Sequence, residues 1–425
     1  MKEITITNPT LIKNENFETI IISVIFPYQE KIEELAKQAL LPAMLMYMNE
    51  EYPTEEEFQK ALKENYIVDY FAKQITVGTT NYFAFYLVIP DKLTLKKDYV
   101  EKQISFLEKC LYHPKLINEE FDNFELEREK ENLLIKLKNT DKSFHAYQTK
   151  RLHKLVDNEG IFSRSLYDHQ DLIEKLTSKE LYKFYQKNIK NNHPLIFILG
   201  NIEKQTILPI IKKYFPTLKE QETLKTNYRH YLKPFRTTPQ EITEEKHFKD
   251  SSLSLVYKVE NMKEEDTILL GLLKKLLTSQ STRLLNKKLR DEYNLVYSSN
   301  VTFYPNFGIF EITAYINPLN KDLALEKILE VMNDIKQRKD LNLLIEKIIR
   351  RRKTILIRNL DNKYSILTKA IYKKLNIAYT DKESYDRLTK VTEEDLLEFL
   401  SRLKLDTIYF LKEMQDEQNR KININ

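Results

Sequence analysis

The sequence predicts an α+β protein of two similar domains, each a mainly antiparallel sheet packed with helices. Three observations predict it. Alternating apolar strands recur in pairs, one helix–turn–strand phrase is written twice, and both halves close on a capped helix followed by an apolar strand.

The first strand is set by Ile20, Ile22, Val24 and Phe26, and its counterpart by Leu253, Leu255, Tyr257 and Val259. Period-two alternation marks a half-buried strand. A helical stretch follows each, over 30–48 and 264–279. Then comes the repeated phrase, "ALKENYIVDY" at 61–70 and "KLRDEYNLVY" at 288–297. Leu62, Tyr66 and Tyr70 recur as Leu289, Tyr293 and Tyr297 at an offset of 227, and Lys63 is matched by Arg290. The next strands run to Pro90 and Pro318.

Long helices follow. Val100, Ile104, Leu107 and Leu111 share one helical face; Leu325, Ile328, Leu329, Met332 and Ile335 take the same role in the second half. Thr177 with Glu180, and Thr392 with Asp395, have the spacing of a helix N-cap and its third residue. Closing strands fall at 194–202 and 406–414. The predicted domains are 1–220 and 241–425. Between them, 221–240 is polar and proline-punctuated, as a linker is.

Scarcity excludes several chemistries. The five glycines, Gly78, Gly160, Gly200, Gly271 and Gly308, stand more than thirty residues apart, so no glycine-rich loop can cradle a phosphate. Cys110 is the only cysteine, which rules out an intrachain disulfide and a cysteine zinc site; its place on an apolar helix face reads as core. The closest histidines, His145 and His153, are eight apart, whereas two that share a metal on one helix face stand four apart. There is no Gly-x-Ser-x-Gly elbow.

The net charge of +5, from 68 bases and 63 acids, is near balance and calls for neither nucleic acid nor membrane. The apolar run 20–26 is far short of the ~20 residues that span a bilayer. The N-terminus lacks the apolar centre of a signal peptide, so the expected location is cytoplasmic. One basic run stands out: Lys347, Arg350, Arg351, Arg352 and Lys353. It reads as a solvated helix face, or as a positive surface for an acidic peptide, a subunit or nucleic acid. It lacks the interleaved aromatics of single-strand binding.

The two-copy plan, with "AKQALLPAMLMYMNEEYPTEEEFQKAL" at 36–62, "FELEREKENLLIKLKN" at 124–139 and "STRLLNKKLRDEYNLVYSSN" at 281–300, resembles the pitrilysin/insulinase-type zinc peptidases over nearly the whole chain. The resemblance implies a clamshell of two homologous domains. It places the family's inverted zinc motif, His-x-x-Glu-His, at Ala39, Leu40, Leu41, Pro42 and Ala43, where neither ligand nor base remains. The third ligand falls near Lys136, within about a turn, with Glu129 and Glu131 close by. The implied member is noncatalytic, with no cofactor of its own.

In that family the second domain supplies an arginine and a tyrosine seven residues apart, which Arg290 and Tyr297 match. A guanidinium and a phenol are suitable donors to the oxyanion of peptide hydrolysis. The residues alone also allow an ordinary exposed helix arginine and a packed strand tyrosine. The resemblance further implies a heterodimer, in which a homologous subunit holds the zinc and this chain completes the site in trans. The implied substrate is a small or unfolded peptide, as in the maturation of bacteriocins or other ribosomally made peptides. The other reading is an inactive scaffold or peptide-binding subunit of a larger complex.

Overall fold

A computed structural model describes residues 2–29, 31–77, 80–91, 97–158, 160–219, 221–226, 231–232, 235–358, 362–375 and 379–414. Gly78, His230, residues 227–230 and 233–234 of the predicted linker, and 415–425 at the end of the second predicted domain lie outside the described residues.

The chain packs as two compact units. One comprises Met1–Asn139, Arg164–Tyr228 and Asn359–Thr380; the other comprises Thr140–Ser163, Arg229–Arg358 and Asp381–Asn425. Each unit therefore joins most of one sequence half to a short segment of the other.

The first unit holds strands β1 (Lys2–Thr7), β2 (Thr10–Lys13), β3 (Thr19–Gln29), β4 (Asp69–Val77), β5 (Thr80–Pro90), β6 (Leu116–Ile117), β7 (Glu120–Phe121), β8 (Leu195–Gly200) and β9 (Gln221–Thr226). Its main sheet runs β2-β8-β3-β5-β4, with β2 and β8 parallel and the other pairs antiparallel. The second unit holds β10 (Gln240–Lys246), β11 (Ser251–Val259), β12 (Val296–Tyr304), β13 (Ile309–Ile316) and β14 (Leu403–Glu413). Its sheet runs β10-β14-β11-β13-β12, again with only the first pair parallel. Strand for strand, the two sheets share one chain order and one pairing sense, so the repeat extends to topology.

One face of each sheet packs on helices as the patterns require. Ile20, Ile22, Val24 and Phe26 share a core with Val100, Ile104, Leu107 and Leu111 of the helix Lys97–Tyr112. Leu253, Leu255, Tyr257 and Val259 do so with Ile328, Met332 and Ile335. Leu329 departs from the predicted face and is exposed. The buried stripe of the helix Lys321–Asp334 runs through Ala324, Ile328 and Val331, and Leu329 sits one residue, about 100°, past it.

The other faces are not half-exposed, contrary to the alternation. Ile21 and Ile25 of β3 are fully buried with Leu367 and Ile371 of the helix Lys363–Lys374, which comes from the second sequence half. Val256, Tyr409 and Leu411 are covered by Leu152 and Val156 of the helix Phe144–Val156, which comes from the first. Gln148 Nε2 of that helix donates to Ser254 Oγ at 2.7 Å. Small polar residues at 252 and 254 imitate a solvent face, yet they lie beneath a helix. Each fully buried Leu or Ile there contributes roughly 1.5–3 kcal/mol.

The predicted linker is only partly a linker. Its first residues form β9, antiparallel to β1, while Leu232 is buried in the second unit and Arg236 pairs with Asp406. Both predicted caps form as capping boxes, Thr177 with Glu180 and Thr392 with Asp395; each cap contributes about 1 kcal/mol. Among the described residues no helix is long and apolar enough to cross a membrane.

Candidate functional site

The repeated phrase folds differently in its two copies. In the first, the helix Glu55–Glu64 is regular and ends at Asn65, and Tyr66 takes a left-handed φ of 53°. The Ile67 amide closes on Leu62 O at 2.9 Å, and Tyr70 then enters β4 opposite Leu87. Its ring is buried between Phe58 and Phe106, and its hydroxyl donates to Leu45 O at 3.3 Å.

The second copy carries two irregularities. A three-residue helical turn, Leu284–Asn286, widens into a π-helical turn, Lys287–Glu292, which bears Arg290. The left-handed residue is now Asn294, one position later than the 227 offset predicts. Asparagine accepts that conformation with less strain than tyrosine. Register then slips in β12: Val296 faces Ile316 and Ser298 faces Tyr315, leaving Tyr297 as the extra residue of a β-bulge. π-Turns and bulges are local devices that re-aim side chains. Here they fall on Arg290 and Tyr297.

Both side chains project. Tyr297 is 69% exposed and Arg290 is exposed, so the packed-strand tyrosine of the alternative reading is not what this residue is. Among the described residues neither side chain has a hydrogen-bond or ion-pair partner. The surrounding charges are already engaged. Asp291 pairs with Arg283 at 3.3 Å, and Glu330 takes Lys288 at 3.1 Å and Lys327 at 2.6 Å. Hydrogen bonds from those lysines, Lys327 first, pull the Glu330 carboxyl down to about 2. Both ammonium groups also lie over the Tyr293 ring, at 5.5 and 4.9 Å. Ser299 Oγ donates to Asn286 Oδ1 at 2.7 Å, tying the residue that immediately precedes the Arg290 turn to the strand that carries Tyr297.

The predicted zinc positions lie on the helix Leu35–Met44. Leu40 and Leu41 are core, while Ala39, Pro42 and Ala43 are half-buried. Ala43 lines a narrow cleft of about 10 Å³ with Met44, Tyr47, Glu125, Arg128 and Glu129, room for about one water. Arg128 holds both carboxylates, Glu125 at 2.9 Å and Glu129 at 3.5 Å. Lys136 and Glu131 are exposed, and neither lines the cleft.

The residues present do not fit a zinc ion. There is no imidazole, and the guanidinium already neutralises the acids. Among the described residues no group of three or more His, Cys, Asp or Glu is placed to hold a metal. The role of Glu125 and Arg128 escaped the sequence reading, although their i, i+3 spacing with Asp122 would have put all three on one helix face. His153 is no ligand either: its ring packs against that of Phe162, tilted by 37° with centroids 4.2 Å apart, and burial pushes it down to about 4. Burial likewise pushes the Cys110 thiol up to about 12, as befits a core residue.

Comparison with known proteins finds similarity to peptidase-like chains described as inactive. A family model described as the peptidase M16 inactive domain matches residues 175–347. The probable inactive metalloprotease YmfF of Bacillus subtilis (strain 168) is 22% identical over 413 residues, 95% of each chain. The crystal structure of a conserved protein from Enterococcus faecalis V583 superposes with a TM-score of 0.84 at 21% identity, covering 98% of this chain and 99% of that one. A protease from Helicobacter pylori gives 0.75 at 17% identity, covering 97% and 99%. The chain is thus similar to the peptidase M16 inactive domain over residues 175–347, and to a probable inactive metalloprotease over nearly its whole length.

Proposed function

We propose that this chain is the noncatalytic subunit of a heterodimeric zinc peptidase, and that Arg290 and Tyr297 act in trans on the zinc site of a homologous partner. The partner's zinc would activate the attacking water. The guanidinium and phenol of this chain would donate to the carbonyl oxygen of the scissile bond as negative charge builds there. Arg290 would also offer a planar fork to the peptide backbone or its carboxylate. The substrate would be a small or unfolded peptide, such as a bacteriocin precursor or another ribosomally made peptide.

The single observation that carries this reading is the contrast between the copies. The π-turn and the bulge both fall in the second copy and project Arg290 and Tyr297, two donors without partners among the described residues. The first copy has a regular helix and a buried Tyr70. Two uncommitted donors, one on the π-turn and one on the bulge that follows it, would supply half of an oxyanion site. The other half, a metal and its ligands, has no counterpart among the residues at 39–43.

The test is to mix the chain with a homologue that carries His-x-x-Glu-His and to follow cleavage of a quenched peptide. The expected result is peptidase activity that neither chain has alone. A homologue fully active by itself and unchanged by this chain would favour a scaffold instead.

A further inference from the structure

The basic run of the sequence meets a second pair of bases in the fold. Arg351 and Arg352 stand on the helix Leu341–Arg358. Lys274 and Lys275 stand near the end of the helix Asp266–Thr278, which packs against it within the same unit. Lys275 and Arg351 are exposed.

This charge is little compensated. Asp381 takes Arg352 at 2.9 Å. Arg351 donates to Gln280 Oε1 at 3.1 Å, a neutral partner that places the guanidinium without cancelling its charge. The Lys274 ammonium lies 5.9 Å from the centre of the Phe303 ring. Among the described residues no acid pairs with Lys274, Lys275 or Arg351. Burial, then the charges of Lys274, Arg352 and Arg351, hold the Lys275 ammonium below the usual lysine range. The charges that act on Lys275 are thus all of its own sign.

Packing does not require the cluster. A helix C-terminus favours cations such as Lys274 and Lys275, but its carbonyls are already met. Lys274 O accepts from Thr278 Oγ1 at 2.8 Å, and Lys275 O accepts from the Ser279 amide at 2.9 Å and Thr282 Oγ1 at 2.8 Å. The dipole also gives no account of Arg351, which comes from another helix. Gathered like charges repel, and a bound anion relieves that repulsion. The basic run has no interleaved aromatics on which bases could stack, which favours a peptide carboxylate over a nucleic acid.

We propose that Lys275 and Arg351, with Lys274 and Arg352 beside them, bind neighbouring aspartate or glutamate side chains of an extended peptide. Arg351 offers its fork to one carboxylate, and Lys275 its ammonium to the next. The proposal deepens the peptidase reading and rests on it only for the guest being a peptide. It names an acidic stretch as what this subunit recognises.

Binding to the full chain alone tests it, without a partner or any cleavage. The probes are rhodamine-labelled Gly-Asp-Glu-Asp-Glu-Gly, its Asn/Gln counterpart and a short oligothymidine, read by anisotropy. The acidic peptide is expected to bind about tenfold or more tighter than the amide peptide, the scale of a charge-assisted hydrogen bond. Raising salt should weaken it. The double change Lys275→Gln with Arg351→Gln should abolish the preference. Both residues are exposed, so the variant should fold, and near-ultraviolet circular dichroism checks this. The control change Lys60→Gln with Lys190→Gln, which removes the same charge from the other unit, should leave the preference intact, as should Arg290→Ala. Equal binding of the two peptides, an equal loss in the control variant, or tighter binding of the oligothymidine would each overturn the proposal. An acidic preference in a chain that confers no activity on any zinc-bearing homologue would sink the peptidase reading and leave the acidic site standing.

Discussion

Tyr70 and Tyr297 hold the same place in two copies of one phrase, yet only Tyr70 is packed. Its hydroxyl donates to Leu45 O at 3.3 Å, whereas Tyr297 stands out of a β-bulge, 69% exposed. The bulge adds one residue to the strand, and that residue is the tyrosine.

The two tyrosines should therefore differ in what they stabilise. Tyr70→Ala opens a cavity among Phe58 and Phe106 and should cost about 3–5 kcal/mol. Tyr297→Ala should stay within about 0.5 kcal/mol of the parent. Denaturant unfolding of both variants measures the difference, and equal losses would place Tyr297 in the core.

Arginine at 290 should matter for its shape as well as its charge. In the active complex Arg290→Ala should lower kcat by roughly 10²-fold, as one lost oxyanion donor does. Arg290→Lys should recover only part of that, because an ammonium lacks the planar fork. Steady-state kinetics at saturating partner reads both. Full rescue by lysine would reduce the role of Arg290 to charge alone.

The exchanged helices predict that the linear halves are poor modules. Residues 1–220 lack the helix Lys363–Lys374 that covers Ile21 and Ile25, and 241–425 lack the helix Phe144–Val156 that covers Val256 and Tyr409. Expressed singly, each fragment should aggregate or bind a hydrophobic dye strongly. Co-expressed, they should recover a soluble pair. Two fragments that fold cooperatively in isolation would contradict this. Within the intact chain, Ile371→Ala should cost about 2–5 kcal/mol.

His153 should make the protein sensitive to mild acid. Burial holds its imidazole down to about 4, against 6.5 when exposed. Between those values the unfolded chain carries a proton that the folded chain does not. Stability is thus fully present above about pH 6.5 and falls as pH drops towards 4, by at most about 3 kcal/mol. Glu311, whose carboxyl burial raises, opposes this in the lower part of the window, because the folded state takes up its proton first. His153→Gln removes the first effect and keeps the second. Unfolding measured from pH 7 to 4.5 should fall less steeply in the variant, and parallel curves would refute the assignment.

Much of the fold was legible because period-two alternation and capping residues act locally. The strand around Val24, the strand around Leu255 and the boxes at Thr177 and Thr392 lie where the pattern put them. What covers the second face of each sheet was not legible. Ser252 and Ser254 look like solvent positions, and only a helix from distant sequence makes them interior. Similarly, the spacing of Arg290 and Tyr297 could be read along the chain, but a π-turn and a bulge shift residues by one without altering the letters. The acids at the degenerate zinc positions were partly visible as Glu129, whereas the Arg128 that ties them became evident only with the helices packed.

Turnover of the assembled pair with both donors removed tests the in-trans role of Arg290 and Tyr297 most directly. Arg290→Ala with Tyr297→Phe should leave the complex with the zinc-bearing homologue intact by gel filtration. It should lower kcat for a peptide substrate by at least roughly 10²-fold. A doubly substituted subunit that assembles normally and supports full turnover would exclude Arg290 and Tyr297 from the catalytic step.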